Sequence, residues 1–101
     1  MALVRVCGLA ELADGTAIKL ERTLPIAVFR VGDNYYAVDD TCTHAQSSLS
    51  EGYIEGETVE CAFHGAKFCL KTGKVLSMPA SKPLNTYPVK MEGNEIFVEI
   101  E

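Results

Sequence analysis

Both histidines of the chain lie just after a cysteine, in Cys42-Thr43-His44 and Cys61-Ala62-Phe63-His64. Thiolate and imidazole suit zinc, and they also suit iron–sulfur clusters. Sixteen residues, 45 to 60, separate His44 from Cys61. The common zinc-finger order puts two cysteines together and two histidines together, so that both pairs grip one ion. Here each pair is mixed. Two loops that each present one thiolate and one imidazole can hold two irons side by side, with the thiolates on one and the imidazoles on the other. A single structural zinc held by all four residues is the rival reading. A Cys42–Cys61 disulfide is another, but it leaves the histidines without a role.

Ligands must arrive from fixed directions, so the next question is what carries them. Turn signals recur every ten residues or so, at Asp14-Gly15, Gly32-Asp33-Asn34, Glu51-Gly52, Glu55-Gly56, Thr72-Gly73 and Gly93-Asn94. Between them "LVRV", "TAIKL", "IAVFRV", "YYAVD", "TVECA", "AKFCL", "YPVKM" and "EIFVEI" read as strands. The last alternates: Ile96, Val98 and Ile100 share one face, and Glu95, Phe97, Glu99 and Glu101 the other. Hairpins are expected across Gly32 to Asn34 and across Gly93-Asn94. Only "AELA", residues 10 to 13, reads as a helical turn. The predicted fold is all-β, an antiparallel sandwich or barrel, with both Cys/His pairs on loops.

The length of 101 residues fits one domain, residues 1–101. With 48% apolar residues the chain can bury a modest core. Its formal charge of −5 argues against a nucleic-acid partner, since nothing neutralises a phosphate backbone. The same charge suits transient docking on basic protein surfaces. No apolar run is long enough to cross a membrane. "MALVRVCGLAELADG" lacks the basic segment and apolar run of a signal peptide, so a cytoplasmic location is expected. Cys7 and Cys69 have no histidine nearby and read as small buried apolar residues, with a disulfide between them as the minor alternative.

"CTH", followed after sixteen residues by "CAFHG", resembles the Rieske signature C-x-H…C-x-x-H. The likeness extends along the chain. "CTHAQSSLSEG" resembles the first ligand loop of the Rieske ferredoxins that serve bacterial aromatic-ring dioxygenases. "FHGAKFCLKTGKV" resembles their second loop and the strand after it, and "MPASKPLNTYPV" their proline loop. The resemblance implies a Rieske-type antiparallel β-sandwich with a small cluster-binding subdomain formed by two loops, at about residues 40–68, and a proline loop at about 78–84. It also implies one [2Fe–2S] cluster. Cys42 and Cys61 would ligate the inner iron, and His44 and His64 the outer, solvent-near iron.

The departures from related patterns are informative. High-potential Rieske proteins resemble "CTHLGC…CPCHGSHY". Ser47 and Phe63 stand where their two extra cysteines form a disulfide, and Ala66 and Phe68 where a serine and a tyrosine reach the cluster sulfurs. Without those hydrogen bonds the more negative reduced state is less stabilised, which implies a potential near the roughly −150 mV end of the Rieske range. The first loop lacks the "HRG" typical of terminal oxygenases, and no further histidines are present to hold a mononuclear iron. No G-x-G-x-x-G marks a flavin or nicotinamide site.

The resemblance therefore implies a non-enzymatic one-electron carrier. It would be a monomer that shuttles between a flavin-containing NAD(P)H ferredoxin reductase and the Rieske centre of a terminal aromatic-ring dioxygenase, with no membrane partner. The alternative is a Rieske-like small subunit held permanently in a larger reductase, such as nitrite reductase. From loop placement, Leu49, Glu51, Phe63 and Pro79 are expected to neighbour the exposed histidines.

Overall fold

The computed structural model describes residues 2–42, 48–62, 65–77 and 82–100. Eleven strands are present among them. β1 (Ala2–Gly8) leads through a 3-10 turn at Leu9–Glu11 to β2 (Thr16–Leu20), β3 (Ile26–Val31) and β4 (Asn34–Asp39). A second 3-10 turn at Leu49–Glu51 precedes β5 (Tyr53–Glu55), β6 (Thr58–Glu60), β7 (Lys67–Cys69) and β8 (Val75–Ser77). β9 (Thr86–Tyr87), β10 (Val89–Glu92) and β11 (Glu95–Ile100) complete the order. They form three antiparallel sheets, β1-β11-β10, β2-β3-β4-β9 and β5-β6-β7-β8.

Both expected hairpins are present. β3 and β4 pair from Val31↔Asn34 across Gly32-Asp33, and β10 and β11 from Glu92↔Glu95 across Gly93-Asn94. The first connecting residue of each is a glycine at positive φ, 63° at Gly32 and 61° at Gly93. A glycine-first two-residue turn twists in the same hand as the strands it joins.

The run "IAVF" in β3 is continuously apolar because the middle sheet is buried on both sides. Successive side chains on a strand point to opposite faces. Ile26, Val28 and Ala37 meet Cys7, Leu12, Ile96 and Val98 in one core against β1 and β11. Ala27, Phe29 and Val38 turn the other way, into a second core with Val59, Phe68, Leu70 and Leu84. Ile96 and Val98 of β11 are fully buried, as the alternation predicts.

Three readings of the sequence need amendment. β5 and β8 were not anticipated; with β6 and β7 they make a four-stranded sheet whose β6–β7 connection carries Cys61. "YPVKM" is divided by Pro88, which lacks an N–H, into β9 and β10; its carbonyl accepts the Glu99 N–H at 2.9 Å. The helical turn spans Leu9–Glu11 rather than residues 10 to 13. Among the described residues no helix is long and apolar enough to cross a membrane.

Candidate metal centre

Cys42 follows β4 by three residues, and Cys61 comes directly after β6. Though nineteen positions apart in sequence, both enter the second core with Leu49, Val59, Ala66 and Phe68. Their exposures are 3% and 1%. None of the four cysteines is in a disulfide, which removes both disulfide alternatives. His44, His64, Phe63 and Pro79 lie outside the described residues. No group of three or more metal-capable side chains gathers among the described residues, as expected when two of four candidate ligands lie outside them.

The second loop, residues 61–66, is the connection of the β6–β7 hairpin, with Glu60↔Lys67 as its last pair. It is closed by the Cys61 N–H donating to the Ala66 carbonyl at 2.7 Å and the Gly65 N–H donating to the Cys61 carbonyl at 3.0 Å. The first loop is closed at its base by a Thr41↔Ser48 bridge. Its brace is Asp40, which the sequence reading did not single out. One carboxylate oxygen accepts from the Ser48 hydroxyl at 2.6 Å, and the other from the Ser50 N–H at 3.0 Å. The Leu49 N–H donates to the Asp40 carbonyl at 2.7 Å.

Asp39, next to it, serves the segment that follows residues 78–81. Its carboxylate accepts from the Asn85 N–H at 3.0 Å and from the Tyr87 hydroxyl at 2.6 Å. Leu84 is anchored from the other side, donating its N–H to the Gly73 carbonyl at 2.8 Å. Adjacent residues on a strand face opposite ways. The end of β4 therefore holds the first loop with one carboxylate and the stem of the third with the other.

Among the described residues, the side chains clustered with the two thiols are apolar. Ala66 and Phe68 are fully buried in the same cluster and bring no hydroxyl to it. Two dry thiols from separate loops fit the sulfur-bound side of a mixed-ligand cluster. Of the residues expected to neighbour the histidines, Leu49 is fully buried and Glu51 is exposed. A groove of about 760 Å³ lies elsewhere, lined by residues including Arg22, Leu24, Tyr87 and Ile100 and by neither cysteine.

The other cysteines differ from each other. Cys7 is buried, and that burial pushes its thiol pKa up, as for an inert core residue. Cys69 is only half-buried, contrary to expectation, and a hydrogen bond with Thr72 brings its pKa down.

Burial, and then the hydrogen bond to Asp39, push the Tyr87 phenol up to about 12 from its ordinary 10. A hydrogen bond to Glu57, and then burial, do the same for Tyr36. Raised phenols favour the neutral form in the folded state. Their contribution to stability is complete below about pH 10 and is lost as pH rises towards about 12. The thermal midpoint, measured by circular dichroism, is expected to fall across that window. Tyr87→Phe should make the fall shallower while costing about 1 kcal/mol at neutral pH, the usual worth of one hydrogen bond.

A family model described as the Rieske [2Fe-2S] domain matches residues 2–88. The 3-phenylpropionate/cinnamic acid dioxygenase ferredoxin subunit of Escherichia coli (strain K12) is 46% identical over 101 residues, covering 99% of this chain and 95% of its own. Two solved structures share the fold. The ferredoxin of carbazole 1,9a-dioxygenase from Nocardioides aromaticivorans IC177 superposes with a TM-score of 0.93 at 31% identity, covering all of both chains. A chain from the complex of reduced oxygenase and oxidized ferredoxin in carbazole 1,9a-dioxygenase gives 0.91 at 39% identity, covering 98% of this chain and 97% of that one. With likeness running the length of the sequence and the two signature cysteines meeting in one dry core, the chain belongs to the Rieske [2Fe–2S] family, as an electron-transfer ferredoxin carrying one such cluster.

Proposed function

We propose that this chain is a mobile, cytoplasmic, monomeric carrier, one domain over residues 1–101. It takes single electrons from a flavin-containing NAD(P)H ferredoxin reductase and delivers them to the Rieske centre of a terminal aromatic-ring dioxygenase. Cys42 and Cys61 ligate the inner iron, and His44 and His64 the outer. The carrying observation is the convergence of Cys42 and Cys61 from separate loops into one buried cluster. The likeness to ferredoxin components of dioxygenases, one of them from a complex with its oxygenase, supports delivery of the electron to an oxygenase.

When bound, the cluster accepts and releases one electron. The chain's own residues do the rest. Leu49, Ala66 and Phe68 keep water from the sulfur side. Asp40 and the Cys61–Ala66 hydrogen bond hold the loop stems at fixed separation. The net charge of −5 steers the carrier to basic docking patches, and contacts of less than about 1,200 Å² allow fast release.

The test is a reductive titration followed by electron paramagnetic resonance. One electron per chain should produce the low-average-g signal of a mixed-ligand [2Fe–2S] centre. The reduced protein, mixed with a dioxygenase terminal component, should then be reoxidised on each turnover while eluting alone on gel filtration. A colourless zinc protein, or a permanent complex with a larger reductase, is the result that overturns the proposal.

A further inference from the structure

Asp40 is the one charged side chain buried among the described residues, at 2% exposure. Loop closure alone does not require a charge there. An asparagine could accept the Ser50 N–H through its oxygen and donate to the Ser48 hydroxyl through its amide, and burying a carboxylate is costly unless it is compensated. Among the described residues the compensation is two hydrogen bonds and one cation. Two hydrogen bonds come from Ser48 and Ser50, and the Lys19 ammonium stands 3.9 Å from Oδ2. Lys19 is itself about one-third exposed and also faces Glu21 at 3.6 Å.

Only Thr41 separates Asp40 from Cys42, so their Cα atoms are within about 7 Å. We propose that Asp40 and Lys19 form a charge pair that sets how readily the adjacent centre takes an electron, Asp40 also being the positioning residue of the first ligand loop. A fixed negative charge in a poorly screened interior opposes the arrival of another. The Lys19 cation, reaching in from β2, offsets part of that opposition. The two residues are therefore levers of opposite sign, which a merely structural role does not produce.

The experiment measures midpoint potentials by spectroelectrochemical titration of the holoprotein, at one pH and one ionic strength. The proteins are the parent, Asp40→Asn and Lys19→Gln, each with its iron content determined. In the protein that retains iron, Asp40→Asn is expected to shift the potential upward and Lys19→Gln to shift it downward. Losing the exposed Lys19–Glu21 contact has little weight in this comparison. Iron-replete variants whose potentials do not move, or move in the same direction, overturn the proposal. If Asp40→Asn does not retain iron, Lys19→Gln decides: an unmoved or raised potential refutes the pair. The inference rests on Cys42 being a cluster ligand, and failure of that reading shows separately, as a parent protein without the mixed-ligand resonance signal.

Discussion

Protein carrying Cys61→Ser is expected to emerge from purification colourless, with iron at about a tenth of the parent's content or less, and Cys42→Ser should behave alike. Changes to groups that only support metal ligands already cost about 10–100-fold in affinity, and these changes strike the proposed ligands. A serine hydroxyl stays protonated at neutral pH and is a poor partner for iron. Both sulfurs sit in an apolar cluster at 3% and 1% exposure, so water has little access to substitute for them. The controls are the remaining cysteines. Cys7→Ala lies in the other core, and Cys69→Ser sits half-exposed at the end of β7. Both should keep full colour and full iron. Iron analysis with visible spectroscopy checks all four. Retained colour in Cys61→Ser, or lost colour in Cys69→Ser, would remove the ligand assignment.

The second large effect concerns Gly73. Its φ is +77°, and a Cβ built there would lie 2.2 Å from the Leu84 carbonyl oxygen. Gly73→Ala must therefore strain its own backbone, by about 1–2 kcal/mol, and push away the Leu84 segment, by about 1–3 kcal/mol. A total loss of about 2–5 kcal/mol follows, or a melting point lower by roughly 10–25 °C for a domain this size. Gly93→Ala isolates the two contributions. It has φ +61° but nothing within 4 Å of the added carbon, so only the backbone cost applies. Thermal unfolding of both variants is the measurement. Equal losses would show that the Gly73–Leu84 contact contributes nothing.

What the sequence reveals depends on how local each signal is. β2, β3 and β11 match their predicted boundaries because each is a long apolar or alternating run between turn residues. β5 and β8 escape because each has three residues and presents exposed apolar side chains, Tyr53 at 65% and Leu76 at 53%. Their strand state comes from the partners β6 and β7, not from their own pattern. The two proposed ligand cysteines stand out through their spacing to the histidines. Asp39 and Asp40 do not, since two adjacent acids at a strand end look like a solvated turn. Their partners lie eight to forty-eight residues away, and no short motif encodes those distances.

The middle sheet has no solvent side. Ala27, Phe29 and Val38 belong to the core that holds the cysteines, and Ile26, Val28 and Ala37 to the core on the far side. Loss of either core would expose one face of this shared wall, so each half is expected to lend stability to the other. Damage beneath β1 or β11 is therefore expected to reach the cysteine-bearing core through β3 and β4, as a shorter lifetime of the bound cluster.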